Sequence, residues 1–354
     1  MPVVKSDDSS IELLRSVRRE TNSAAAREAS RKLAADGAVN LLPVLRGFQG
    51  ASALGGNWLR SVFETIASHE TRAGRMLPAD LLTEFIQDTG NAPAARRLAY
   101  AWLLRQDPTL EQNLIPGLLE DDHPDFRRDA VALLIDRAKS AQGNAATQLY
   151  KAAIRGAVHD DQVKVIAEAL EAAGQPVNQQ QHFGFLSKWK IIGPFDNREM
   201  KGYAATYPPE VTLDPDAAYD GQLARVSWQT ITSDDSYGLV DIAQQIKNYK
   251  GSLMYAVTTF HSTDERRAEF RLGTPNAWKM WVNSELVFER EEYHRTTRMD
   301  QYRVPVALQA GENTIMLKVC QNEQEENWAQ RYQFQLRVVD SSGAAVLSSR
   351  GTDD

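Results

Sequence analysis

The spacing of apolar residues changes character partway along the chain. In the first half they recur every three or four positions, as in Ala130, Leu133, Leu134 and Ala138, which lines one face of a helix. Further apolar helices are predicted over 41–48, 81–86 and 114–119. Beyond residue 182 the period falls to two. Ile315, Leu317 and Val319 alternate with Thr314, Met316 and Lys318, and Tyr332, Phe334, Leu336 and Val338 alternate with Arg331, Gln333, Gln335 and Arg337. Ala268, Phe270 and Leu272 do the same around Glu269 and Arg271. Alternation puts successive side chains on opposite faces of a strand. Comparable runs predict strands at 188–192, 225–231, 253–260, 278–283, 286–289 and 302–308. No helix longer than about 241–249 is expected in this half, which argues against a parallel α/β sheet.

Composition follows the same division. Five of the seven tryptophans and nine of the eleven tyrosines lie beyond residue 182, whereas Ala, Leu and Arg dominate before it. Helix formers thus precede residues that favour strands. The join, Gly174-Gln-Pro-Val-Asn-Gln-Gln-Gln-His182, reads as a helix stop and a polar linker. The expected organisation is an N-terminus over 1–10 without fixed order, a helical domain over 11–174, a linker over 175–184, a β-sandwich over 185–347 and a flexible tail over 348–354.

The helical half repeats. A basic residue opens a helix at Arg27, Arg60, Arg96, Arg127 and Lys164, at intervals of 33, 36, 31 and 37; helix pairs of such period are the mark of a stacked array. A Gly-rich insertion at 50–56 blurs the first repeats. The segment Leu114-Ile-Pro-Gly-Leu-Leu-Glu-Asp-Asp-His-Pro-Asp-Phe-Arg-Arg-Asp-Ala resembles the HEAT-repeat family, whose acidic turn, proline and basic residue lead into a second helix. An acidic turn suits a helix N-terminus. The plain expectation for these arginines is a structural ladder, each pairing with the turn of a neighbouring repeat.

The second half looks like galactose-binding-like jelly-roll modules. The resemblance rests on Trp189-Lys-Ile-Ile-Gly-Pro-Phe-Asp-Asn197, Tyr207-Pro-Pro-Glu210, Trp278-Lys-Met-Trp-Val-Asn283 and Leu308-Gln-Ala-Gly-Glu-Asn-Thr-Ile-Met-Leu-Lys-Val319. Such modules accompany many secreted bacterial glycosidases. They usually carry Asn-Gly after the Trp-Val strand, where this chain has Asn283-Ser284, so a different loop is expected there. Taken whole, the chain is similar to uncharacterised bacterial proteins that join HEAT-like repeats to such a sandwich. That similarity implies an N-terminal α-solenoid, a C-terminal antiparallel jelly roll and export, but no particular activity. The modules also often hold a structural calcium ion; Asp196, Asn197, Asp340 and Glu323 offer oxygens without a defining spacing.

Charge and motifs narrow the chemistry. A net charge of −7 without a basic run speaks against nucleic-acid binding. No stretch approaches the roughly eighteen apolar residues of a membrane span. The first ten residues lack the basic start and apolar centre of a signal peptide. The expectation is therefore a cytoplasmic chain, or an exported one whose signal is gone. Cys320 is the single cysteine, which excludes intrachain disulfides and Cys-based metal sites. There is no phosphate loop, HExxH, Gly-x-Ser-x-Gly or EF-hand pattern, and the six histidines lack metal-ligand spacing. Glu291-Glu292 and Glu325-Glu326 are adjacent carboxylates in loops, where neighbours point apart.

What remains is an aromatic and polar set. A sugar site needs an indole or phenol beside hydrogen-bonding side chains. Trp281, on the strand face opposite Trp278, together with Tyr293, His294, Arg298, Asp300, Gln321 and Asn322, forms a candidate ligand site. Alternatively, Trp189, Trp278, Trp328 and Tyr332 are core residues and 321–327 a solvated hairpin tip. The chemistry present predicts a non-catalytic scaffold needing no cofactor, with a protein partner on the helical array and the sandwich as a second binding module. Two other readings stand beside it: an extracellular glycan-binding protein that uses the sandwich, and a glycosidase-type enzyme whose carboxylates converge only in the fold.

Overall fold

The structure, a computed structural model of the chain, describes residues 8–19 and 23–350. It is mixed α and β and divides into two compact units, Met1–Ala157 and Val158–Asp354. The ordering expected for 1–10 and 348–354 falls mostly outside the described residues. Within them, Asp8 opens a helix and Ser349 donates its backbone N–H to the His261 carbonyl at 2.8 Å.

The first unit is helical: α1 (Asp8–Arg15), α2 (Ser23–Asp36), α3 (Leu41–Arg46), α4 (Ala53–Arg72), α5 (Ala79–Gln87), α6 (Pro93–Gln106), α7 (Glu111–Leu114), α8 (Pro124–Ser140) and α9 (Gly143–Gly156). Leu14, Leu33, Leu41, Leu45, Leu59 and Phe63 are all fully buried in its core. Two details depart from the sequence pattern. Helix α4 begins inside the Gly-rich insertion, because Ser52 caps it by accepting the Gly55 N–H at 2.9 Å. Gly55 is required there, since a Cβ would stand 2.4 Å from the Arg15 carbonyl oxygen. The apolar run at 114–119 tightens into a 3-10 turn, Ile115–Leu118, because Pro116 cannot donate to a continuing α-helical ladder.

The basic positions divide into two groups. Arg96 and Arg127 are buried while Arg27, Arg60 and Lys164 are exposed. Arg96 donates to both carboxylate oxygens of Asp121, one bond measuring 3.0 Å, and to the Ile86 carbonyl at 2.6 Å. Arg127 donates to the Asp121 carbonyl at 2.6 Å. A buried carboxylate tolerates its position only with such a partner: the Arg96 guanidinium from α6 holds the Asp121 carboxylate, while Arg127 from α8 holds its backbone carbonyl.

In the second unit, α10 (Asp160–Ala172) and α11 (Gln179–Phe183) precede the sheets. Helix α10, expected to end the helical half, is thus counted with the sheets; the Tyr237 hydroxyl donates to Asp160 at 2.6 Å. Residues 175–184, read as a linker, contain α11, which Asn178 caps by accepting the Gln181 N–H at 3.0 Å.

The strands are β1 (Lys188–Asp196), β2 (Ala218–Asp220), β3 (Arg225–Ser227), β4 (Gln229–Thr232), β5 (Val240–Asp241), β6 (Ser252–Ser262), β7 (Arg266–Gly273), β8 (Ala277–Val282), β9 (Glu285–Arg290), β10 (Tyr302–Leu308), β11 (Gly311–Gln321) and β12 (Gln333–Val339). They form a six-stranded sheet, β4-β1-β6-β11-β8-β9, a four-stranded sheet, β10-β7-β12-β5, and the ribbon β2-β3. Every pairing is antiparallel. Trp189, Ile191, Met254, Trp278, Leu317, Phe334 and Leu336 fill the core between the two larger sheets, which makes this unit sandwich-like. The region 241–249 holds only a five-residue π-turn, Ala243–Lys247.

The six-stranded sheet has a second, outer core. The excursion from Asn197 to Trp228, which includes α12 (Pro208–Val211), lays Tyr203, Tyr207 and Trp228 over Ile192, Tyr255, Trp281, Met316 and Cys320. Lys318 is fully buried beneath it. Its ammonium donates to the carbonyls of Tyr203 (3.1 Å) and Ala205 (2.7 Å) and to Glu210 Oε1 (2.8 Å). Glu210 also accepts from the Tyr255 hydroxyl.

The β8–β9 hairpin corrects an expectation. Asn283 and Ser284 both adopt left-handed φ, 51° and 68°, the conformation of a tight two-residue turn. Asn283 compensates for the missing glycine: its side chain accepts the Thr314 N–H at 2.9 Å and donates to Asn313 at 3.0 Å.

Candidate functional site

The seven residues singled out from sequence do not form one site. Trp281 is only 9% exposed and packs in the outer core under the excursion, because that face of β8 is covered by a second layer. It offers no platform to solvent. Gln321 is fully buried; its amide donates to the Ala329 and Arg331 carbonyls, both at 3.2 Å. Its work is to hold the loop that follows β11.

Arg298 and Asp300 lie apart, although they follow His294 closely in sequence. The chain turns at Asp300 (φ 59°) and carries its carboxylate onto the other sheet. There it accepts from Arg337 at 2.7 and 2.6 Å and from Arg271 at 2.7 Å. Burial alone would raise the Asp300 carboxyl, but the Arg337 and Arg271 guanidiniums outweigh it and hold it below the usual carboxylate range. Asp300 is therefore a structural ion-pair centre. Arg298 is exposed, and its carbonyl oxygen approaches Gly273, where a Cβ would come within 2.4 Å of it.

Tyr293, His294 and Asn322 do come together. The Tyr293 hydroxyl accepts from Asn197 at 3.2 Å, and burial pushes that hydroxyl well above the usual tyrosine range. The His294 ring meets Asn322 Oδ1 through Nε2 at 2.7 Å, and His294 adopts φ 56° to do so. Its ring also stands edge-on to Trp328, with centroids 5.0 Å apart and planes at 87°. Trp328 is 59% exposed. The expectation that it plugs the core is corrected: the 3-10 turn Asn327–Ala329 buries Ala329 and turns the indole outward.

Asn322 links this aromatic pair to an open depression of about 690 Å³ lined by Met200, Asn322, Glu323, Gln324, Glu325 and Glu326. Gln324 is fixed on Asn322, donating its N–H at 3.2 Å and accepting the amide at 2.9 Å. On the facing loop, Glu199 and Met200 have left-handed φ of 56° and 60°, and the Glu199 N–H donates to Glu323. Lys250 donates to the Ala329 carbonyl at 2.8 Å; burial lowers its ammonium, against the opposing pull of Glu325 and Glu326. The rim thus offers an exposed indole, an imidazole, two amides and three carboxylates. The sequence signal for it was present in the amide- and acid-rich loop that ends in an aromatic.

No group of three or more His, Cys, Asp or Glu among the described residues is placed to hold a metal ion. Of the calcium candidates, Asp196 pairs with Arg198 and Asp340 accepts the backbone N–H groups of Ser342 and Ala344. Among the described residues no helix is long and apolar enough to cross a membrane.

The second unit defines the protein at the level of class: an antiparallel sandwich-like fold with a polar, indole-bearing rim. No protein-family profile matches the chain, and no characterised protein matches it in sequence. Among solved structures it is similar to a beta-glucosidase from Kluyveromyces marxianus in complex with glucose, with a TM-score of 0.27 and 9% identity over 43% of this chain and 16% of that one. It is also similar to a β-glucuronidase from Ruminococcus gnavus in complex with D-glucaro 1,5-lactone, with a TM-score of 0.26 and 11% identity over 44% and 28%. The chain spans less than a third of the length of these proteins. These neighbours are glycosidases, where the sequence led to the expectation of a non-catalytic scaffold. A likeness of this size transfers no activity.

Proposed function

We propose that the protein engages carbohydrate, and that the rim around Trp328, His294 and Asn322 is where a sugar sits. The observation that carries the reading is the exposed indole held edge-on by a histidine, which is itself fixed on an amide beside the depression. Sugars pair an apolar C–H face with a hydroxyl edge; an indole takes the first and amides and carboxylates take the second. Isothermal titration of the full chain against an oligosaccharide panel tests this. Trp328→Ala is expected to weaken binding at least about tenfold, by loss of an aromatic stacking contact. Binding unchanged in that variant, or no sugar bound by the wild type, overturns it.

A second reading, glycosidic hydrolysis at the same rim, is favoured by one observation: Glu323, Glu325 and Glu326 line one depression. Hydrolysis uses two carboxyls roughly 5–10 Å apart across the bond. Release of nitrophenol from aryl glycosides, abolished by Glu→Gln at one of the three, would support it.

For the helical unit we propose HEAT-like stacking of helix pairs. The support is the bond from Arg96 on α6 to Asp121 in the acidic turn before α8, the ladder contact that such repeats use.

A further inference from the structure

The outer face of the six-stranded sheet is covered along only part of its length. The excursion from Asn197 to Trp228 stops at Val257 and Met316, which are adjacent on β6 and β11. Beyond them the same face lies open as a groove of about 510 Å³. Register places its floor: Lys190 sits opposite Thr230 on β4 and Val257 on β6, Thr259 opposite Thr314, and His261 opposite Glu312. Leu213 and Pro215 form one wall and the Ser348–Arg350 segment lines the other side. Ser348 Oγ is fixed there, accepting the His261 N–H at 3.1 Å.

The groove differs from the rim in chemistry. It gathers Lys188, Lys190, His261 and Arg350 around one carboxylate, Glu312, in a chain whose net charge is −7. Lys190 and Arg350 are exposed and form no ion pair among the described residues. Between the cations stand the hydroxyls of Thr230, Thr259, Thr314 and Ser348, each able to donate and accept. Trp189 borders the groove, but its ring is buried in the sandwich core, so no aromatic platform is offered. Recognition here must come from charge and hydroxyls.

We propose that this groove is a second carbohydrate site, distinct from the rim, that takes an acidic saccharide. A carboxylate or sulfate of the sugar lies against Lys190 and Arg350, its ring hydroxyls meet the threonine row, and its C–H face meets Leu213, Pro215 and Val257. The volume lies within the range of roughly 300–1,000 Å³ typical of small-ligand sites, and ammonium or guanidinium bonds to an anion are about twice as strong as neutral ones.

The test is titration calorimetry on the full chain with oligosaccharides of equal length: an oligogalacturonate, a sulfated heparin-derived fragment and a neutral galacto-oligosaccharide. Inorganic phosphate and a DNA duplex serve as other anions. At least one acidic sugar should bind at least about tenfold more tightly than the neutral one; which one identifies the anionic group. The double variant Lys190→Ala/Arg350→Ala should lose at least about tenfold in affinity for it, through charge-assisted bonds, and sodium chloride should weaken it. Trp328→Ala should leave this binding unchanged, which separates the groove from the rim. The proposal is overturned if no acidic sugar binds, if the neutral sugar or the duplex binds as tightly, or if the double variant binds as the wild type does.

Discussion

Replacing Lys318 by methionine removes the ammonium and keeps most of the stem. Lys318 is fully buried, and its three donors end on Tyr203, Ala205 and Glu210, all three within the excursion that covers the outer sheet face. The ammonium also lies 5.6 Å from the Tyr207 ring and 5.8 Å from the Tyr255 ring. Without it, two carbonyls lose their donor and the Glu210 carboxylate is left with the Tyr255 hydroxyl donating to it. Removing one partner of a buried pair costs about 3–5 kcal/mol, and the carbonyl losses overlap with that figure rather than adding to it. A unit of this size shifts by roughly 2–4 °C per kcal/mol, so a drop in Tm of about 10 °C is expected by scanning calorimetry. Hydrogen exchange should also quicken across 203–211. The exposed pair Lys201–Glu199 supplies the contrast, since solvent screens it and Lys201→Met should leave Tm nearly unchanged. Adding Glu210→Gln to Lys318→Met should recover part of the loss by neutralising the stranded carboxylate. A fall of less than about 2 °C for Lys318→Met would refute the view that this ion pair pins the excursion.

Two further outcomes are expected. Ser284→Gly should raise Tm by about 2 °C, because a left-handed serine costs about 1–2 kcal/mol and glycine's unfolded-state entropy offsets about half of that; a fall would refute the strain. Asp300→Asn should cost about 3 kcal/mol at pH 7, with the penalty shrinking in acid. The native Asp300 carboxyl lies below its ordinary range, so its stabilisation is complete above an unfolded pKa of about 3.9 and is lost as pH falls through the lower folded value. Urea unfolding of both proteins between pH 7 and 3 checks this, and a pH-independent difference refutes it.

The strands were readable because half-buried sheets impose period two: β10 occupies 302–308 as the alternation required. Most of the excursion over the outer face was not, although the run predicted at 225–231 closes it as β3 and continues as β4. Its elements are three or four residues long, too short for periodicity, and they are fixed by the sheet beneath them. That hidden layer buries Trp281, which the candidate ligand site included. Strand parity correctly separated it from Trp278, but parity says nothing about what lies above a face. The candidate site was legible only where contact followed sequence proximity, as with Tyr293 and His294. Asn322 joins them because β11 ends beside the β9–β10 connection, whereas Asp300 leaves them through one left-handed residue.

The rim carries its own reporter. Of the seven tryptophans, Trp189, Trp278 and Trp281 are buried, and Trp58, Trp102 and Trp228 are half-buried. Trp328 alone is broadly open to solvent. A collisional quencher such as iodide therefore reaches one indole far more readily than the other six, and the emission it removes is the red, water-relaxed edge of the spectrum. Occupancy of the rim becomes a loss of quenching, readable without label or tag.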